Sequence, residues 1–207
     1  MNTGKNDKIK TVVFDLGNVV VNWNPLKYVK DKLNCSDEEA EEMTNICFGT
    51  EGWLDVNRGT VSRNEHVKAL SAQYPALAGT IEKLLNESDE MLTERPETAA
   101  LIRSLKAQGY RLLFLSDTNY EALEYIRAHS EAFRMLEGGV ASFEHLVLKP
   151  DKRIFEILLN TYALEPQECL FIDDNPGNTE AAAKLGFQVI TLLAGMSITE
   201  EAEKILA

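Results

Sequence analysis

The stretch Lys10–Trp23, KTVVFDLGNVVVNW, opens with a run of Val and Phe that reads as a buried strand, yet a carboxylate, Asp15, ends that run, and Gly17 and Asn18 follow. A run this continuously apolar suits a parallel sheet covered on both faces, since a half-solvated antiparallel strand would alternate. Three further runs share the character: RLLFLS at 111–116, CLFID at 169–173 and FQVITLL at 187–193. Between them, Ile154, Leu158 and Tyr162 recur at helical spacing, as do Leu101 and Leu105, while Gly109 and Gly186 stand where helices end. Strand and helix thus alternate from about Arg95 onward. That alternation predicts an α/β fold, a Rossmann-like doubly wound parallel sheet with right-handed crossovers.

The interval from Asn24 to Thr93 contains no convincing strand. SDEE from Ser36 and SRNE from Ser62 are capping boxes, in which a Ser hydroxyl and a Glu carboxylate three residues on satisfy each other's backbone donors. Behind them Met43 with Cys47, Val67 with Leu70 and Tyr74, and Ile81 with Leu84 and Leu85 form apolar stripes. We therefore expect an all-helical cap over residues 21–94, inserted into a core made of residues 1–20 and 95–207.

The chain has 207 residues, 44% hydrophobic and 26% charged, which is the composition of a packed globular protein. Its formal net charge of −12 argues against nucleic acid and anionic membrane as partners, because both need clustered basic surface. No apolar run is long enough to span a bilayer, and the first residues, MNTGKNDKIK, lack the apolar region of a secretory signal, so a cytoplasmic location is expected. Cys35, Cys47 and Cys169 have no paired spacing and read as reduced thiols.

In an open parallel sheet, ligands bind beyond the carboxyl ends of the strands. Asp15, Ser116 and the pair Asp173 and Asp174 all fall there, with Lys149 in LVLKPD ending either a further short strand or a loop. Three carboxylates brought together would raise one another's pKa, a penalty that a divalent cation removes, and an all-oxygen donor set suits magnesium. Singly these residues are ordinary turn and cap formers: TNYE from Thr118 is itself a capping box, and DDNPGN a polar turn. Their succession, each at the end of an apolar run, is what points to a site.

The same residues resemble the four motifs of the haloacid dehalogenase superfamily, most of whose members are phosphatases. VVFDLGNVV is similar to the first motif, LLFLSDTN to the second, Lys149 in LKPDKRIF to the third and LFIDDNPGN to the fourth. The DLGNV form of the first motif, with a small helical cap, resembles a subgroup that includes glucose 1-phosphate phosphatases. The resemblance implies a magnesium-dependent phosphatase of a small phosphorylated metabolite, a sugar phosphate above all, with Asp15 as the nucleophile that forms an aspartyl-phosphate. Ser116 and the backbone N–H groups after it would hold phosphoryl oxygens at a helix N-terminus, beside Asp117, and Lys149 would neutralise charge and restrain Asp15. Magnesium would be held by Asp15, the Gly17 carbonyl, Asp174 and, directly or through water, Asp173.

One departure stands out. The superfamily's phosphatases usually carry a second Asp two residues after the nucleophile as general acid, a role contributing about 10²–10⁴ in rate, and here that position is Gly17. Asp117, Glu51 and Asp55 are the substitute acids to consider. Asp117 also stands where an Asn is common. Two other readings follow: a 2-haloacid dehalogenase, whose aspartate attacks carbon and which gives no reason for the Asp173–Asp174 pair, and a non-catalytic protein that binds a phosphorylated ligand. Trp53, Asp55, Arg58 and His66 are cap residues that could face the site, while His66, His129 and His145 receive no catalytic role. Neither the oligomeric state nor the natural substrate is readable from the sequence.

Overall fold

The computed structural model describes residues 8–206, so the reading of the polar start MNTGKND falls outside the described residues. Five parallel strands form one sheet: β1 (Thr11–Phe14), β2 (Arg111–Ser116), β3 (Gly138–Ala141), β4 (Cys169–Asp173) and β5 (Gln188–Thr191), in the order β3-β2-β1-β4-β5. Five helices follow β1: α1 (Pro25–Leu33), α2 (Asp37–Phe48), α3 (Glu51–Arg58), α4 (Arg63–Gln73) and α5 (Ala78–Asn86). The rest are α6 (Pro96–Ala107), α7 (Tyr120–His129), the short α8 (Ser142–His145), α9 (Lys152–Tyr162), α10 (Pro176–Lys184) and α11 (Ile198–Leu206). This is the doubly wound parallel sheet with a helical cap expected above. No described helix is long and apolar enough to cross a membrane.

Alternate residues of each strand feed two cores, which is why the strands read as unbroken apolar runs. Val12, Phe14, Leu112 and Phe114 pack with Ile102 and Leu105 of α6 and Ile126 of α7. Val13, Leu113, Leu115 and Phe171 face the other way, onto Ile154, Phe155 and Leu158 of α9. The cap has its own cluster, including Val29, Cys47, Trp53, Ile81, Leu84 and Leu85. Both Ser-Glu capping boxes form, at Ser36 and Ser62, and all three cysteines are free thiols. Gly109 and Gly186 take left-handed φ angles of 85° and 100° just past α6 and α10.

One reading needs correction and one is decided. β3 is a fifth strand with the sequence GGVA, and it carries no apolar run because Phe114 of the neighbouring strand packs against its backbone. A Cβ on Gly139 would come within 2.3 Å of that ring. Of the two placements open to Lys149, the loop holds: it lies between α8 and α9, on a cis Lys149–Pro150 bond.

The chain enters and leaves the cap side by side. Asn22 N–H donates to the Thr93 carbonyl at 2.8 Å and Arg95 N–H to that of Val20 at 2.9 Å, beside a single bridge from Val21 to Glu94. A second attachment lies at Gly59, which ends α3 with φ of 83°, and where a Cβ would come within 2.4 Å of the Phe143 carbonyl oxygen in α8. Gly59→Ala should therefore lose about 1–3 kcal/mol in urea unfolding, from the unfavourable φ and the lost approach of cap to core. An unchanged midpoint would show that the cap does not depend on this contact.

Candidate active site

Because the strands are parallel, their carboxyl ends share one edge. Asp15 follows Phe14, its N–H donating to the Ile172 carbonyl at 2.8 Å; Ser116 ends β2 and Asp173 ends β4. The loop that carries Lys149 crosses this edge. All these side chains line or underlie one cleft of about 350 Å³ between sheet edge and cap, also lined by Gly17, Asn18, Asp117, Thr118, Asn119 and Asp174.

Lys149 ties the cluster together. Its side chain is 2% exposed, and its ammonium donates to Asp15 Oδ1 at 2.8 Å, Asp173 Oδ2 at 2.6 Å and the Leu115 carbonyl at 3.1 Å. Three hydrogens meet three acceptors, so Lys149 engages a substrate oxygen only by sharing a hydrogen. Its backbone N–H donates to Asp117 Oδ1 at 2.9 Å. The surrounding carboxylates raise its pKa and keep it cationic. Asp15 is pushed up to about 7, chiefly by burial, with Lys149 pulling down and Asp173 pushing further up. Burial also raises Asp117, against the pull of Lys149.

The donor set fits a hard cation. Asp15, Asp173 and Asp174 each offer a carboxylate oxygen within 4.8 Å of the others, and Lys149 alone does not balance three such charges. Their surroundings differ. Asp173 is fully buried and surrounded by donors: Lys149 on Oδ2, the Asn175 N–H on Oδ1 at 2.8 Å, and Asn178 Nδ2 at 3.0 and 3.1 Å. Asp15 and Asp174 each accept a side-chain hydrogen on one oxygen only among the described residues, from Lys149 and from Asn18 (3.0 Å), so the second oxygen of each carries no side-chain hydrogen.

Several residues without a sequence-based role organise the edge. Asn18, at a left-handed φ of 53°, links Asp174 to the start of the cap by accepting the Trp23 N–H at 3.0 Å. Asn tolerates that conformation better than most residues, a local clue in DLGN. Asn178, one turn into α10, orients Asp173. The cap of α7 is Asn119 rather than Thr118, accepting the Ala122 N–H at 3.1 Å. Thr118 N–H is committed to Ser142 Oγ at 2.9 Å, so that amide after Ser116 is not left for a phosphoryl oxygen.

The cap candidates separate. Trp53 lines the cleft. Asp55 and Glu51 are paired with Arg58, outside the cleft lining, which leaves Asp117 as the one proposed substitute acid that lines it. His66 is buried in the cap, with Nε2 at 3.2 Å from the Cys47 carbonyl.

Residues 9–186 match the family described as haloacid dehalogenase-like hydrolase. The chain is 22% identical to the sesquiterpene phosphatase of Aspergillus oryzae, over 92% of this chain and 90% of that one. It is 27% identical to an (S)-2-haloacid dehalogenase of Burkholderia cepacia, over 55% of this chain and 49% of that one, about half its length. Among solved structures, a family enzyme of Bacteroides thetaiotaomicron in complex with magnesium and inorganic phosphate superposes with a TM-score of 0.76, at 20% identity, over 93% of this chain and 98% of that one. The family match spans most of the chain, and the chain belongs to the haloacid dehalogenase-like hydrolases.

Proposed function

We propose that the protein is a magnesium-dependent phosphomonoesterase of a small phosphorylated metabolite, with residues 21–94 as its cap and the cytoplasm as its location. The observation that carries the reading is Asp15 in the cleft wall, one oxygen fixed by Lys149 and the other open to a ligand. That open oxygen attacks phosphorus as the bond to the leaving oxygen breaks; water then cleaves the aspartyl-phosphate and returns Asp15. Asp15, the Gly17 carbonyl and Asp174 would hold magnesium, with Asp173 fixing Lys149 beside them. When bound, the ion supplies positive charge to phosphoryl oxygens and offsets the surplus of carboxylates. Ser116 would hold a phosphoryl oxygen, and Asp117, the candidate acid that lines the cleft, would protonate the leaving oxygen. A phosphatase relative spanning nearly the whole chain supports the chemistry. The DLGNV first motif by itself favours a sugar phosphate, whereas the lining of the cleft favours an apolar leaving group.

The curated dehalogenase relatives favour a second reading, attack of Asp15 on the carbon of a 2-haloacid. One experiment separates the two. With magnesium, the protein should release nitrophenol from p-nitrophenyl phosphate, and chelation should abolish this and lower the melting temperature, because a ligand held only by the folded state stabilises it. Chloride release from 2-chloropropionate in chelator, without phosphatase activity in magnesium, would establish the dehalogenase instead.

A further inference from the structure

Beyond the phosphoryl end, the cleft wall is apolar and aromatic. Trp23 and Trp53 lie parallel, 7° apart with ring centroids separated by 6.1 Å, and Phe48 meets both edge-on at 5.9 and 5.1 Å. Leu92 and Ile126 continue the wall, and Leu54, 43% exposed, stands at its rim. Trp23 also packs against the point where a side chain at position 17 would project, its Cβ 3.6 Å from a Cβ built there. The place two residues past the nucleophile is thus covered by indole rather than by a carboxyl group.

Polar side chains in the same wall are engaged with one another. Both Asp89 oxygens accept from Arg63 at 2.7 Å. Arg63 also donates to Asn119 Oδ1 at 2.8 Å, and Asn119 Nδ2 donates to Asn57 Oδ1 at 3.0 Å. Asn18 is held between Asp174 and the Trp23 N–H. An aromatic face can pack on the C–H side of a sugar, but a sugar's hydroxyls each need a partner on burial, and Asp89, Asn119 and Asn18 already serve protein partners rather than the cleft. An apolar group makes no such demand and gains by leaving water.

We infer that the leaving group is an apolar alcohol, alkyl or aryl, rather than a polyol, and that Trp23, Trp53, Phe48 and Leu54 select it. The inference rests on the phosphatase reading and names that enzyme's substrate class. A cleft of about 350 Å³ accommodates a phosphate with a chain of roughly six carbons.

The test measures kcat/KM in magnesium for methyl, butyl, hexyl and phenyl phosphate and for glucose 1-phosphate, together with calorimetric binding of methyl- to hexylphosphonate. We expect kcat/KM and phosphonate affinity to rise about threefold per added methylene, with hexyl and phenyl phosphate ahead of glucose 1-phosphate. Leu54→Gln, at an exposed position that tolerates a polar side chain, should flatten the chain-length dependence, and Trp53→Ala should flatten it further. A flat series, or glucose 1-phosphate as the best ester, overturns the inference and leaves the phosphatase intact. Absence of turnover for every ester removes the phosphatase reading instead, and phosphonate affinity that still rises with chain length upholds the apolar pocket.

Discussion

Asp15→Asn folds normally and loses phosphatase activity by a factor on the order of 10⁴–10⁶, the scale seen when a covalent nucleophile is removed. The substitution keeps the shape of the side chain, and an amide oxygen can still accept the Lys149 hydrogen now taken by Asp15 Oδ1. What it removes is a carboxylate oxygen able to bond to phosphorus. It also removes an anion whose pKa burial has raised from 3.8 to about 7. For a carboxyl raised in this way the folded state holds the proton more tightly than the unfolded one, so the wild type loses stability as pH climbs from about 4 to about 7. Above that range the variant escapes the cost. The expected pair of results at pH 8, in chelator for the melting curve, is therefore abolished turnover with an equal or higher melting temperature. Turnover within tenfold of wild type would sink the nucleophile assignment.

Lys149→Met has the largest expected effect on stability. The wild-type ammonium serves Asp15, Asp173 and the Leu115 carbonyl at once, and Asp173 is fully buried. Methionine fills similar space and offers no hydrogen, which leaves a buried carboxylate without its cation. Removing one partner of a buried pair costs about 3–5 kcal/mol, corresponding to roughly 10 °C for a chain of this size. The deficit should shrink as pH falls, because protonated carboxyls no longer need the ammonium. Adding Asp15→Asn should recover part of it, since two residues in contact are not additive. A loss below about 1 kcal/mol in chelator at pH 8 would mean that Lys149 is not the cation that holds this edge together.

Much of the arrangement was legible because it follows from local rules. Strands buried on both faces must be apolar throughout, so β1, β2 and β4 announced themselves, and β5 did so with overlong ends. The polar residues ending those runs could then lie only along one edge. β3 failed the same rule because its first two positions are glycines, Gly138 against the Tyr162 side chain and Gly139 against Phe114, so close packing erased the hydrophobic signal. Glu51 and Asp55 had the right chemistry but are held by Arg58, an arrangement that depends on the path of α3. Asn119 took the helix cap from Thr118 by one residue. Arg63, 5% exposed, was hidden by type, since an arginine opening a helix is ordinarily solvated; only the fold brings Asp89 and Asn119 to it.

The position of β1 in the middle of the sheet also governs assembly. Thr11 pairs with Arg111 on one side and Cys169 on the other, so the segment bearing Asp15 leaves the ribosome before either neighbour and finds its second one only after the cap, β2 and β3 have been made. Such distant pairings give a high contact order and slow folding. The cap helices, translated in between and packed on one another, can form beforehand, so the sheet edge that carries Asp15, Ser116 and Asp173 is a late product of synthesis. A nascent chain stalled before Cys169 leaves the β4-facing side of β1 uncovered, which makes that interval the one in which chaperones matter most.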